Sequence, residues 1–209
     1  MKTKLLIRKL ELNRNKFLLA ENLKEDCKKL GLPYLPTIKY LLRNKYLVRI
    51  LRGIFYVKSI AERKLNKIDI NHYSALTKAL KLKSLKNWYF GLDTALKFNN
   101  LTHEYFVMDY ILSDSIFRPK PVKVMGHSVK FIKLKKELFG FGTIIKNINY
   151  SDPEKTVLDI IYVSKYHSLS SEKIKSKIIE LIEACSKTKI RNYLKYYPLS
   201  VKKFVENLI

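Results

Sequence analysis

The sequence predicts an α+β chain in two parts. A helical N-terminal third ends in a small hairpin, and a mixed α/β remainder closes in helices. Three observations carry this prediction. Apolar residues recur at helical spacing up to Leu42. Two short β-prone runs flank Gly53. Further β-prone runs between Tyr105 and Ile148 are then followed by clean helical periodicity to the end.

In order, Leu5, Leu6 and Leu10 predict a short opening helix. Ala20, Leu23, Cys27 and Leu30 share one face of a second helix, with Glu21, Lys24, Glu25 and Lys28 on its wet face. Gly31 follows as its C-cap signal, and Pro33 stands just beyond. A third helix restarts near Leu35-Pro36-Thr37, with Pro36 suited to a first turn, and runs over Pro36 to Lys45. Its expected inward stripe is Leu35, Ile38, Leu41 and Leu42. Thr37, Lys39, Tyr40, Arg43 and Asn44 are then left facing out. Leu47 to Val57 reads as a hairpin turning at Gly53. Two helices, a tight turn, a third helix with a basic outer face and a hairpin describe a winged helix-turn-helix over residues 1–66.

Residues 67–209 read as a second, α+β domain. A lysine-rich helical connector spans 59–90, and Trp88 to Gly91 leads into a short helix over Leu92 to Phe98. Strands are expected at Tyr105 to Leu112, at Val122 to Met125 and Val129 to Leu134 around Gly126-His127, and at Thr143 to Ile148. Ser151 and Glu154 have capping-box spacing, with Pro153 in the first turn. Val157, Leu158, Ile161 and Tyr162 form the apolar side of the helix they start. Ile174, Ile178, Leu181, Ile182 and Cys185 mark a longer helix, and Val201, Phe204, Val205 and Leu208 a last one from Ser200.

The net charge of +24 on 209 residues points to a polyanionic partner. Residues 1–66 hold 17 Lys+Arg against 5 Asp+Glu, and the remaining 143 hold 25 against 13, so charge density is about twice as high in the first third. That skew favours a localised basic face. A helix fits the major groove, which assigns Thr37, Lys39, Tyr40 and Arg43 to base edges or nearby phosphates. Arg49, Arg52 and Lys58 on the hairpin would hold the backbone or enter the minor groove. Other chemistry has little support in the sequence. His72, His103, His127 and His167 lack metal-ligand spacing, and no Gly-rich phosphate loop occurs. Asp109, Asp114, Glu154 and Asp159 are the only carboxylates that could serve a metal-dependent nuclease, and Glu154 is better read as a helix cap. The expectation is therefore no catalytic residues, no cofactor and no metal. Cys27 and Cys185 fall on apolar stripes and read as buried free thiols. No apolar run approaches 18 residues and the basic start lacks an apolar h-region, so neither a membrane span nor a signal peptide is predicted, and the expected location is the cytoplasm.

Several stretches resemble one family in order along the chain. Leu47-Val48-Arg49-Ile50-Leu51-Arg52-Gly53-Ile54-Phe55-Tyr56 is similar to its wing pattern G-x-L-x-R-x-x-R-G-x-Y. Tyr89-Phe90-Gly91-Leu92-Asp93-Thr94-Ala95-Leu96 is similar to Y-I-S-L-E-S-A-L, and Glu154-Lys155-Thr156-Val157-Leu158-Asp159 to E-K-A-L-L-D. The chain thereby resembles the AbiEi-type antitoxins and transcriptional regulators of type IV toxin–antitoxin systems. It departs from them ahead of Lys45-Tyr46-Leu47, where the usual Gly is missing and Asn44 stands nearby. The resemblance implies a winged helix that binds double-stranded DNA at inverted repeats in its own promoter, with room for a homodimer there. It also implies a C-terminal domain that counters a nucleotidyltransferase-type toxin without a tight complex. Two rivals from the residues alone are a ligand-sensing winged-helix regulator unrelated to toxins and a nucleic-acid-processing nuclease.

Overall fold

In the computed structural model, which describes residues 2–209, ten α-helices and two β-sheets are found among the described residues, an α+β fold. The chain divides into unit 1, Met1–Ser84 with Val124–Gly126, and unit 2, Leu85–Lys123 with His127–Ile209. No helix among the described residues is long and apolar enough to cross a membrane.

Unit 1 begins with α1 (Lys2–Leu12), β1 (Phe17–Leu19) and α2 (Ala20–Lys29). Leu6, Leu10, Leu23 and Cys27 are buried, as their spacing predicts, whereas Leu5 is exposed. The chain leaves α2 through a Schellman turn. Gly31 sits at φ +62°, its N–H bonds Lys28 O at 3.1 Å, and Leu32 N–H bonds Cys27 O at 2.8 Å. Helix α3 (Tyr34–Arg43) starts directly after Pro33, which places Pro36 in the first turn. Its end repeats the same turn with Lys45 N–H on Leu42 O and Tyr46 N–H on Leu41 O. Here Lys45, not a glycine, takes the left-handed position at φ +59°. Strands β2 (Leu47–Leu51) and β3 (Ile54–Val57) form the expected hairpin, and β1 pairs with β3, giving the sheet order β1-β3-β2.

The two faces of this sheet are covered differently. Leu47, Phe55 and Val57 join the core of α1, α2 and α3. Ile50, Ile54 and Tyr56 are equally buried but lie outside that core. Strand alternation puts Ile50 on that face with Tyr56, and the register shift after Arg49 brings Leu51 opposite Ile54. After α4 (Ile60–Lys64), α5 (His72–Leu82) packs on β2 and buries Ala75, Leu76, Ala79 and Leu80. The domain boundary expected at residue 66 therefore differs from the observed division at Ser84. The sheet needs α5 as its second cover, and helical periodicity in a connector does not reveal what it will cover.

A six-stranded mixed sheet has the order β6-β7-β5-β4-β9-β8, and all of its residues except Val124 belong to unit 2. The strands are β4 (Trp88–Phe90), β5 (Met108–Ser113), β6 (Val122–Val124), β7 (His127–Lys133), β8 (Thr143–Ile145) and β9 (Asn149–Ser151). β4 is antiparallel to β5 and parallel to β9, and β5 is parallel to β7. Helix α6 (Asp93–Phe98) follows β4; α7 (Pro153–Tyr166), α8 (Ser171–Glu183), α9 (Lys187–Leu194) and α10 (Leu199–Glu206) close the chain. Spacing along the sequence does not reveal β9 and α9, which are short and carry too few apolar residues to show a period. The N-cap of α7 lies one residue later than the capping-box spacing predicts. Asp152, not Ser151, accepts from Lys155 N–H at 2.9 Å, while the Ser151 hydroxyl meets that of Thr156 at 2.7 Å.

Candidate nucleic-acid interface

Helix α3 presents a coherent outer stripe. Leu35, Pro36, Lys39, Tyr40 and Arg43 are exposed, while Thr37, Ile38 and Leu41 are buried. This corrects the expected phase at two positions. Leu35 is 66% exposed and Thr37 only 6%. The helix begins at Tyr34, and Tyr34, Thr37, Ile38 and Leu41 complete an i, i+3, i+4, i+7 face. Thr37 is polar but small enough to be buried on the face that also carries the core residues Ile38 and Leu41. Burial raises the Cys27 thiol above its usual range, so both groups belong to the core.

The hairpin brings Arg49 and Arg52 out to solvent. Arg49 lies over the ring of its cross-strand neighbour Phe55, 5.8 Å to the centroid. Arg52 precedes Gly53 in the turn between β2 and β3. Lys58 is again a correction: it is 4% exposed, and its N–H donates to Tyr46 O at 2.9 Å. It follows the strand directly, where the chain turns back over the core, so its charge is not offered to a partner. Tyr40 stacks on Tyr46 at 6.3 Å between centroids, which orders the exposed end of the stripe.

Some cations elsewhere in unit 1 are paired with acids. On α1 and α2, Lys9 pairs with Asp26 and Lys29 with Glu25. Arg63 pairs with Glu11 and lies 4.3 Å from the Tyr46 ring centroid. Lys39, Arg43, Arg49 and Arg52 meet no carboxylate among the described residues. An uncompensated cationic helix and hairpin can attract and hold phosphates, and the exposed Leu35 and Pro36 add apolar surface at the first turn.

Unit 2 carries a different arrangement. Lys155 on α7 is fully buried, donating to Leu138 O at 2.7 Å and sitting 3.5 Å from Asp159 Oδ1. Its Nζ lies 4.2 Å from the Phe141 ring centroid and 4.9 Å from that of Tyr89. Tyr89 and Tyr197 donate to Asp159 at 2.8 and 2.7 Å. Burial pushes the Lys155 amine down and the Asp159 carboxyl up, each against the other's charge. The amine is enclosed, so this cluster ties α7 to its neighbours and does not meet solutes. Glu154 is also corrected. It caps nothing at its own helix start but accepts from Ser186 N–H and pairs with Lys189 at 2.9 Å, alongside Asp152. Cys185 beside them is a buried thiol, pushed up to about 12 by burial and by Glu154 and Asp152. The E-K-x-x-x-D signature thus reports packing inside unit 2.

No family model and no curated protein matches the chain. A solved structure, the RV2827C protein from Mycobacterium tuberculosis, has a similar fold with a TM-score of 0.61 at 14% identity. The match covers 99% of this chain and 75% of that one. At that identity the likeness concerns the fold alone.

Proposed function

We propose that unit 1 is a winged helix-turn-helix that binds double-stranded DNA. α3 enters the major groove and the β2–β3 hairpin is the wing. The observation that carries this reading is the stripe of cations on α3 and the hairpin that no carboxylate neutralises. Lys39, Tyr40 and Arg43 are the base-edge and phosphate contacts, and Arg49 and Arg52 grip the backbone. Together with the motif resemblance, this supports reading the protein as an AbiEi-type antitoxin that represses its own promoter at inverted repeats. In that reading it counters a nucleotidyltransferase-type toxin without a tight complex and works in the cytoplasm without catalysis.

The test is a gel shift on the DNA upstream of the protein's own gene. Arg43→Ala with Arg52→Ala is expected to abolish the shift at fixed salt while leaving the thermal midpoint within about 2 °C, because both side chains are exposed. The wild-type affinity is expected to fall steeply with salt, with a log–log slope of about −0.9 for each phosphate contacted. An unchanged shift in the double variant refutes the assignment.

A further inference from the structure

Unit 1 carries a second basic surface. The loop from Asn13 to Lys16 runs from α1 into β1 beside α5, and a groove opens between them. Arg14, Lys16 and Phe17 line one wall, and Lys78, Lys81 and Leu82 the other. No carboxylate lines it. The loop wall is ordered by side-chain hydrogen bonds: Asn15 N–H donates to Asn13 Oδ1, and Phe17 N–H donates to Asn15 Oδ1, both at 3.0 Å. Lys78 holds its ammonium 5.5 Å from the Phe17 ring centroid. Lys16 shares Glu62, 3.4 Å away, with the donors of Tyr56, Ser59 and Asp69. Arg14, Lys78 and Lys81 pair with no acid among the described residues.

The groove lies on the α5 side of the three-stranded sheet. Phe17 meets Tyr56 edge-on at 5.5 Å, and Tyr56 belongs to the set of buried residues outside the core that α3 joins. A ligand here is held by different residues from those on α3. Cations gathered in one groove repel each other until an anion enters, and three unpaired ones spread over both walls suit an anion that carries several charges along its length. A sugar–phosphate backbone has that pattern, and its binding releases counterions for each phosphate neutralised. We propose that this groove is a second nucleic-acid contact, which grips the backbone of a duplex without reading its sequence. The proposal rests on the nucleic-acid reading of unit 1 but uses none of the residues assigned to α3 or the wing.

The test starts from the full chain carrying Arg43→Ala and Arg52→Ala. It is expected to retain salt-sensitive binding to a duplex of unrelated sequence about three helical turns long. Adding Arg14→Gln, Lys78→Gln and Lys81→Gln is expected to lower that affinity at least roughly tenfold and to flatten the log–log salt slope by about 2 to 3. Unchanged affinity and slope overturn the proposal. Lysine acetylation of the wild-type chain provides a second measurement that needs no variant. The duplex is expected to protect Lys78 and Lys81, and inorganic phosphate at matched ionic strength is not. Equal reactivity with and without duplex overturns the proposal. So does equal protection by inorganic phosphate, which marks a small-anion pocket, or by polyglutamate, which marks an acidic-protein site. If the starting variant still recognises the upstream DNA, the reading of α3 fails while the groove result stands separately.

Discussion

Glu62 is a carboxylate with no exposed side-chain surface, held ionised by four donors. Burial by itself raises its pKa. The N–H groups of Asp69 and Ser59, at 2.9 and 2.7 Å, and the Tyr56 hydroxyl at 2.7 Å outweigh burial, aided by Lys16. The result is a carboxyl lowered to about 2 from an ordinary 4.5. A lowered folded-state pKa means that its stabilisation is complete above about pH 4.5 and disappears as pH falls towards 2. At about 1.4 kcal/mol per pH unit, the loss amounts to about 3 kcal/mol. Urea unfolding at a series of pH values is expected to show this loss in the wild type and its absence in Glu62→Gln, which starts from lower stability at pH 7. Equal pH slopes in the two proteins refute the role. The capping box explains why the residue sits there: Ser59 accepts from Glu62 N–H at 3.1 Å while Glu62 accepts from Ser59 N–H.

At the scale of elements, α7 is unusual in being buried nearly all round from Glu154 to Ile161. Its first turns therefore leave no room for a looser loop before it. Gly142 occupies that approach at φ +59°, with its carbonyl accepting from Asp152 N–H at 2.8 Å. A Cβ added there would lie 2.8 Å from Lys155 Cβ and 3.0 Å from Tyr193 Cε2. Lys155 cannot withdraw without abandoning Leu138 O and leaving Asp159 buried without its cation. Gly142→Ala thus combines backbone strain with overpacking and is expected to cost about 2–4 kcal/mol. That corresponds to a thermal midpoint lowered by roughly 5–15 °C for a chain of this size. A midpoint within about 2 °C of wild type means the approach is less rigid than its geometry implies.

For the whole molecule, the extent of unit 1 is the decisive point. If the chain is cut after Asn66, the sheet face that carries Ile50, Ile54 and Tyr56 loses the helix that packs on β2. Those three side chains bury several kcal/mol of apolar surface, at about 1.5–3 kcal/mol each for full burial. A fragment of residues 1–66 is expected to bind a hydrophobic dye and melt without a cooperative transition. A fragment of residues 1–84 is expected to melt cooperatively. Cooperative melting of the shorter fragment shows that α5 is dispensable. Since Lys78 and Lys81 come with α5, the shorter fragment also lacks half of the proposed backbone groove.

The α+β class, the three helices before the hairpin, the turn at Gly53, the strands around Gly126 and the basic bias of the first third all follow from spacing and composition along the chain. Each is a local property, set by period, turn residues or charge count. Which side of α3 faces out was less legible. Ile38 and Leu41 face inward as their spacing predicts, but the inward stripe takes in Thr37 rather than Leu35, a choice between positions about 100° or more apart on the helix that packing makes. The burial of Lys58, the enclosure of Lys155, the pairing of Glu154 with Lys189 and the cover that α5 gives the sheet depend on residues distant in sequence. Burial is decided by what packs opposite, and only the tertiary structure supplies that partner.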